Sequence, residues 1–145
     1  AVITKSGAPV YVDYAHTPDG LRAAIAALRP HTKGKLITVF GAGGDRDTGK
    51  RPEMGAVAVA DSDIVIVTDD NPRSEDPSLI RADIMAGAPG AHEIGDRHYA
   101  IAFAIEHAEP DDIVLIAGKG HEQGQIIMGR VLPFDDVEVA RECAA

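Results

Sequence analysis

Short apolar runs alternate along the chain with segments in which apolar residues recur every three or four positions. The runs have the length and the Val and Ile content of buried strands. They cover residues 9–14, 35–40, 64–67 and 112–117. A looser alternation over 125–134, interrupted by Gly129 and Arg130, predicts a hairpin near the end of the chain.

The intervening segments predict helices. Leu21, Ile25 and Leu28 lie at helical spacing, and Thr17 before them is a good N-cap. Similar starting signals, in which an acidic residue or a proline precedes the apolar repeat, occur at four further positions. These are Pro52, Asp76, Asp96 and Asp135. The stretch 87–95 is rich in Gly and Pro and is predicted to be irregular.

The order of these elements indicates an α/β fold. Strands that are apolar throughout are typical of a mostly parallel sheet whose two faces are both covered by helices. At 145 residues the chain has the size of one domain, and we expect a single domain over 1–145 with the hairpin at its C-terminal end.

Polar loops follow the predicted strands. Right-handed crossovers place the carboxyl ends of parallel strands along one edge of the sheet, where ligands bind in open α/β proteins. The loops that we expect to converge there are 13–17, 41–51, 68–73 and 118–122.

The loop 68–73 carries the most informative chemistry. Arg73 offers a planar fork for a carboxylate, and Asp69 and Asp70 offer acceptors for an ammonium group. A site with both kinds of group suits an amino acid. The alternative is a solvated turn closed by Asn71-Pro72.

The glycine-rich loop 41–51 resembles a phosphate-binding loop only in part. Gly44, Gly49 and Lys50 have the spacing of a P-loop, but Arg51 stands where a Mg²⁺-binding Ser or Thr is needed. A mononucleotide P-loop is therefore not expected. Arg51, together with Arg46 and Lys50, is able to stabilise charge on a phosphoryl or carboxylate group, and the alternative is a flexible, solvated loop.

The two remaining loops have weaker signals. His16 follows Asp13 and Tyr14 at a strand exit, where a structural role is the alternative to catalysis. Gly118 permits close backbone approach, and Glu122 is able to receive an ammonium group, unless 118–122 is an ordinary turn before the hairpin. The other histidines lack ligand spacing, so no metal site is predicted.

Composition excludes several classes of function. With 14 Lys and Arg against 23 Asp and Glu, the net charge is −9, which argues against a nucleic-acid partner. Apolar runs of about six residues predict neither a membrane span nor a secretory signal. The single cysteine, Cys143, forms no internal disulfide and fits a reducing compartment. Ala1 in place of Met suggests a piece of a longer protein.

Four motifs in these loops, taken together, resemble one family. They are Asp-Tyr-Ala-His-Thr-Pro-Asp at 13–19, Gly-Gly-Asp-Arg-Asp-Thr-Gly-Lys-Arg-Pro at 43–52, Asp-Asn-Pro-Arg at 70–73 and Gly-Lys-Gly-His-Glu at 118–122. In this order they are similar to the C-terminal domain of the Mur ligases, above all those that add diaminopimelate. The resemblance covers about residues 9–141; the stretch 86–95 looks shorter than is usual in the family.

This resemblance implies a Rossmann-like third domain of a three-domain, ATP-dependent ligase of peptidoglycan synthesis. In the family, ATP phosphorylates the γ-carboxylate of D-Glu in UDP-MurNAc-L-Ala-D-Glu, and the amine of meso-diaminopimelate attacks the acyl phosphate. The phosphate-binding loop and the Mg²⁺ ligands belong to the central domain, and the uridine nucleotide is held mainly by the N-terminal domain. We therefore expect a cytoplasmic, monomeric enzyme that uses ATP and Mg²⁺. The chain by itself is expected to bind no cofactor and to catalyse nothing.

The resemblance also implies roles for individual residues. The motif positions that hold diaminopimelate correspond to Arg46, Asp70, Asn71, Pro72, Arg73, Gly118 and Glu122. The positions near ATP correspond to Asp13, Tyr14 and His16, and the catalytic positions near the phosphoryl group to His16 and Lys50.

Two alternatives stay open at this point. The first is a free-standing, non-catalytic module that binds an amino acid or a nucleotide. The second is a lysine-adding relative, against which Arg73 argues, because lysine has no second carboxylate for this cation.

Overall fold

The computed structural model describes residues 2–3, 7–44, 49–118, 124–127, 130–133 and 135–144. The strands are β1 (Val2–Ile3), β2 (Pro9–Asp13), β3 (Leu36–Phe40), β4 (Ile64–Val67), β5 (His92–Glu93), β6 (Ile113–Ala117), β7 (Gly124–Ile127) and β8 (Arg130–Pro133). The α-helices are α1 (Pro18–Leu28), α2 (Lys50–Asp61), α3 (Pro77–Met85), α4 (Arg97–His107) and α5 (Asp136–Ala144). A 3₁₀ turn, Arg29–His31, follows α1.

The main sheet has six strands in the order β1-β2-β6-β3-β4-β5. Its parallel strands are β2, β6, β3, β4 and β5, and among the described residues of this sheet only the edge strand β1 pairs antiparallel. β7 and β8 form a separate antiparallel pair. The predicted α/β class, the mostly parallel sheet and the C-terminal hairpin are confirmed.

Both faces of the main sheet are buried under helices. On one face Leu36 and Phe40 of β3 pack in a cluster with α1, α2 and α3. On the other face Ile37 and Val39 pack in a cluster with α4 and α5. The alternation of β3 residues between two buried faces explains why its sequence is apolar apart from Thr38, whose hydroxyl pairs with that of Ser62 at 2.7 Å.

The predicted helix starts at Thr17, Asp76, Asp96 and Asp135 are confirmed as capping positions. Their side-chain oxygens accept hydrogen bonds from backbone N–H groups in the first turn, at 2.9 to 3.1 Å. The predicted start of α2 at Pro52 is wrong, because the helix begins at Lys50. Proline is tolerated within a first turn, where its missing N–H has no intrahelical partner to lose.

Two short strands escaped prediction. β5 lies within the stretch 87–95 that was predicted to be irregular, and β1 precedes the first predicted strand. Each has two residues, which is too short for an alternation to be visible, and each is defined by its pairing with a neighbouring strand. Within the described residues, no helix combines the length and apolar content that a membrane crossing needs.

Candidate functional site

A cleft of about 260 Å³ opens at the carboxyl ends of the parallel strands. Its volume lies just below the roughly 300 Å³ at which pockets for drug-sized ligands begin, which suits one small molecule. Residues that the sequence analysis singled out and that line it are Tyr14, His16, Lys50, Arg51, Asp70, Asn71, Arg73 and Gly118. The predicted convergence of the loops is therefore present for every loop segment that the structure describes.

The loop after β4 is pressed against the loop after β3. Asp70 and Asn71 are buried in it, and Asn71 O accepts a hydrogen bond from Gly44 N at 2.6 Å. A Cβ at Gly44 would overlap the carbonyl group of Pro72. Glycine at this position lets the two backbones touch, and Pro72 is buried in this contact without lining the cleft.

Arg73 has an unusual backbone conformation. Its φ of 52° lies in the left-handed region, which costs a non-glycine residue roughly 1–2 kcal/mol. The side chain turns back so that Nη1 donates to Gly44 O at 3.0 Å and to Asn71 O at 3.4 Å. Neither bond involves Nη2. The conformation places a guanidinium in the wall of the cleft, and backbone strain of this kind is concentrated at functional sites.

Asp69, next to Asp70, anchors the loop to the sheet edge. Its carboxylate accepts from Arg81 Nη1 at 2.5 Å, and Arg81 Nε also donates to Glu93 at 3.0 Å. Burial raises the pKa of the Asp69 carboxyl, and the Arg81 guanidinium opposes that shift. Asp69 therefore serves as an anchor, which corrects its interpretation as an acceptor for a ligand ammonium group.

Gly118 follows β6 directly opposite this loop. Its φ is +115°, and its N–H donates to Asp13 O at 3.2 Å. A Cβ at Gly118 would lie 3.5 Å from Asp70 Oδ2. The positive φ favours glycine here, and the backbone closely approaches the buried carboxylate.

The loop after β2 forms an aromatic rim. The rings of Tyr14 and His16 lie 5.0 Å apart, and His16 Nδ1 is 3.2 Å from Tyr14 O. Tyr14 is 55% exposed, so its ring is accessible for stacking on a planar group. Asp13 is exposed but does not line the cleft, and its Oδ1 accepts from Ala15 N at 2.8 Å.

The two basic residues at the start of α2 differ in environment. Lys50 is exposed and lines the cleft. Arg51 is 2% exposed and donates to Glu75 at 2.9 Å, to Asp83 at 3.0 Å and to Gly43 O at 3.3 Å. Glu75 is the main cause of the raised pKa of Arg51, with burial acting against it. Arg51 also lines the cleft, but two carboxylates compensate its charge, so its role as a cation for ligand charge stays a prediction.

Arg46 and Glu122 lie outside the described residues. Among the residues that are described, no group of three or more His, Cys, Asp or Glu is arranged to hold a metal ion.

The structure also adds residues that the sequence analysis did not predict for the site. Thr17, Ala42, Gly43 and Met54 line the cleft, and their types carry no chemical signal that would have identified them. Arg97 and Asp136 lie behind the cleft as a fully buried ion pair. Each directly follows an aspartate that was predicted to start a helix. The sequence does not show that the first residues of these two helices are in contact.

Comparison with known proteins gives a consistent result. The family described as "Mur ligase, glutamate ligase domain" matches residues 1–120. The UDP-N-acetylmuramoyl-L-alanyl-D-glutamate--2,6-diaminopimelate ligase of Zymomonas mobilis subsp. mobilis is 68% identical over 146 residues, which cover 98% of this chain and 30% of that ligase. This chain therefore spans about 30% of the length of that relative.

Solved structures agree with the sequence relatives. A structure of a UDP-N-acetylmuramoyl-L-alanyl-D-glutamate--2,6-diaminopimelate ligase aligns with a TM-score of 0.89 and 50% identity, covering 93% of this chain and 28% of that one. A bifunctional folylpolyglutamate synthase/dihydrofolate synthase with Mn, AMPPNP and L-glutamate bound aligns with a TM-score of 0.64 and 22% identity, covering 84% of this chain and 28% of that one. The latter likeness shows a shared fold alone.

Proposed function

The chain belongs to the Mur ligase, glutamate ligase domain family, and on that premise we propose that it is the amino-acid-binding C-terminal domain, over 1–145, of an ATP-dependent ligase. The ligase adds meso-diaminopimelate to UDP-MurNAc-L-Ala-D-Glu in peptidoglycan synthesis. Both the 68% identical relative and the 50% identical solved structure are named as diaminopimelate ligases.

The observation that carries the proposal is the position of Arg73 in the cleft wall beside buried Asp70 and Asn71. A guanidinium binds a carboxylate through paired hydrogen bonds, and a carboxylate receives an ammonium group. An amino acid that has a distal carboxylate satisfies both. Lysine would leave Arg73 without an anionic partner, which costs on the order of 1–3 kcal/mol in a closed site.

The remaining diaminopimelate contacts are assigned by motif. Gly118 brings its backbone to the cleft from the side of β6. Arg46 is assigned to a carboxylate and Glu122 to an ammonium group, and Pro72 fixes the loop that carries Asn71 and Arg73.

The nucleotide is assigned to the rim formed by the loop after β2. The exposed Tyr14 ring and its neighbour His16 offer a surface on which an adenine base is able to stack. Asp13 at the end of β2 is assigned to the ribose hydroxyls. His16 and Lys50 line the same cleft, where their side chains are placed to stabilise charge on the phosphoryl group.

When bound, ATP supplies the phosphoryl group that converts the D-Glu γ-carboxylate to an acyl phosphate. The cleft holds diaminopimelate so that its amine nitrogen attacks the acyl carbon, the carbon–oxygen bond to phosphate breaks, and the ammonium proton is lost to leave an amide. The family resemblance assigns the Mg²⁺ ligands to the central domain, and no step in this domain is assigned to the metal.

Because these functions are assigned to other domains, the N-terminal and central domains are required for activity. We assign the whole ligase to the cytoplasm as a monomer, and the 145-residue chain alone is expected to be inactive.

The test is product formation by the full-length ligase supplied with UDP-MurNAc-L-Ala-D-Glu, ATP and Mg²⁺. Mass spectrometry is expected to show addition of meso-diaminopimelate, with L-lysine added at least about 10-fold less efficiently. Arg73→Ala is expected to reduce that discrimination, whereas Arg22→Ala, on the exposed face of α1, leaves it unchanged. Equal use of the two amino acids would contradict the proposal, as would turnover of ATP by the isolated chain.

A further inference from the structure

Arg97, the first residue of α4, is fully buried, and its guanidinium donates to four acceptors among the described residues. Its Nε and Nη2 donate to the two carboxylate oxygens of Asp136 on α5, at 2.8 and 2.7 Å. Its Nη1 donates to Asp69 O at 3.0 Å, and Nη2 donates also to Ala117 O at 3.0 Å. The side chains of both Arg97 and Asp136 have no solvent exposure.

The two carbonyl groups bound by Arg97 precede two residues of the cleft. Asp69 comes directly before Asp70, and Ala117 comes directly before Gly118. They leave β4 and β6, which are not neighbours, because β3 lies between them in the sheet. No backbone ladder joins these two strand exits directly, and the rigid guanidinium spans the distance between them.

The chemistry of Arg97 suits the positioning of the two strand exits better than the stabilisation of the core alone. Burial of two charges costs several kcal/mol per ion, and apolar residues of similar volume often stabilise a core as well or better. A guanidinium presents its donors in a fixed plane, whereas a lysine ammonium cannot reach four acceptors in that arrangement. Asp136 compensates the charge and also fixes the orientation of the plane by a two-point contact.

We propose that Arg97 is a positioning residue that sets the separation of Asp70 from Gly118, and with it the fit of the amino-acid pocket. Asp136 orients Arg97, so the C-terminal helix α5 takes part in amino-acid selection without reaching the ligand. This inference rests on the proposed function of the cleft.

The surrounding contacts predict a shift of the loop rather than its unfolding when Arg97 is changed. The Asp69 carboxylate remains bound to Arg81, and the Asp69 N–H donates to Gly95 O at 3.3 Å. These contacts hold the loop to α3 and to the segment after β5. The loop loses the hydrogen bonds through which Arg97 connects it to the end of β6.

The experiment measures steady-state kinetics of Arg97→Lys and Asp136→Asn in the full-length ligase, with Ile101→Val as the matched control. Ile101 is buried on the same helix in the apolar cluster against the sheet, and it does not line the cleft, so its truncation is expected to lower stability without a change in KM. Each of the first two variants is expected to raise the KM for meso-diaminopimelate about 10- to 100-fold, since small misplacements in a site have effects of this size. The KM for ATP is expected to change by less than about 3-fold, because Tyr14 and His16 belong to another loop.

A merely structural role for Arg97 predicts a lower yield of active enzyme with both KM values unchanged, as in Ile101→Val. That result, or an equal rise of the two KM values, would overturn the inference. Failure of the wild-type ligase to add meso-diaminopimelate would instead overturn the proposed function. If neither variant folds, the Arg97 side-chain ¹H–¹⁵N signals of the wild-type ligase decide: they are expected to shift on saturation with meso-diaminopimelate, and unchanged signals overturn the inference.

Discussion

Arg73 Nη1 lies 3.0 Å from the carbonyl oxygen of Gly44 and donates a hydrogen bond to it. Gly44 N in turn donates to Asn71 O at 2.6 Å, so the loops after β3 and β4 are joined in both directions. The cation is thus held in place before any ligand arrives. Such preorganisation lowers the entropy lost on binding.

Gly44→Ala is expected to separate these two loops. The added Cβ would overlap the Pro72 carbonyl, and relief of the overlap must move backbone, at an expected loss of about 1–3 kcal/mol in the free energy of unfolding. Because Arg73 binds Gly44 O, affinity for meso-diaminopimelate is expected to fall as well. Urea unfolding and isothermal titration check the two effects.

Gly90→Ala is the control for Gly44→Ala. Gly90 has a φ of +84° and open space around its Cβ position, so alanine there is strained without any overlap. It is expected to cost about 1 kcal/mol of stability and to leave binding unchanged. If Gly44→Ala is as mild as Gly90→Ala in both measurements, the contact between the loops does not support the pocket.

The backbone conformation of Arg73 predicts that Arg73→Gly is more stable than Arg73→Ala, which is the reverse of the usual order. Arg73→Ala and Arg73→Gly both remove the guanidinium and its hydrogen bonds to Gly44 O and Asn71 O. At a φ of 52° the glycine variant is relieved of steric strain, so it is expected to be more stable than the alanine variant by about 1 kcal/mol. Glycine is normally the less stable of the two because its unfolded chain has more freedom. Denaturant midpoints that show alanine to be the more stable would refute the left-handed conformation.

Arg51→Met tests the assignment of Arg51 to structure. The change removes hydrogen bonds from a buried guanidinium to Glu75, Asp83 and Gly43 O, and is expected to lower the free energy of unfolding by about 2 kcal/mol. Arg22→Met, which breaks the exposed pair with Asp19, is expected to have no measurable effect. Thermal unfolding of the two variants provides the comparison, and equal midpoints would mean that the buried network contributes nothing.

Asp63 is expected to make stability depend on pH in the acid range. Its carboxylate accepts from Arg29 at 2.6 Å and from Leu36 N at 2.8 Å, and chiefly the bond from Arg29 holds the pKa of the Asp63 carboxyl below its ordinary value of 3.8. A lowered folded pKa adds stability above pH 3.8 and loses it as the pH falls through the folded pKa. The side chain is 37% exposed, so solvent screening limits this contribution to under about 1 kcal/mol.

Wild-type protein and Asp63→Asn are compared by urea unfolding at several pH values. The stability difference is expected to be the same at pH 7 and pH 5 and to shrink below pH 3.8. A difference that grows as the pH falls would have the wrong sign and would contradict the ion pair.

The sequence predicted the parts of the fold that local chemistry determines. The apolar run of β3 is buried on both faces, and Thr17 caps α1 as its residue type and position indicated. The bounds of α2 were missed because proline is compatible with any position in a first turn, so Pro52 does not mark a unique start. β5 depends on pairing with β4, and a segment of two residues carries no periodic signal.

The site was predictable where charged residues stand in strand-exit loops, as Asp70 and Arg73 do. The sequence does not show which of those charged side chains pair with oppositely charged residues of the protein itself. Arg51 and Arg73 are equivalent by residue type and both line the cleft, yet the charge of Arg51 is compensated by Glu75 and Asp83, whereas Arg73 donates to backbone carbonyl groups. The packing of α2 against α3 and the segment that precedes α3 determines which of the two meets carboxylates of the protein itself.

The most direct test of the central claim is an amide-resolved NMR titration of this chain with meso-diaminopimelate and, separately, with L-lysine. The account predicts shifts at Asp70, Asn71, Arg73 and Gly118 that are much larger for meso-diaminopimelate, because only this ligand offers a second carboxylate to Arg73. Shifts of equal size for the two amino acids, or shifts confined to residues away from the cleft, would contradict it.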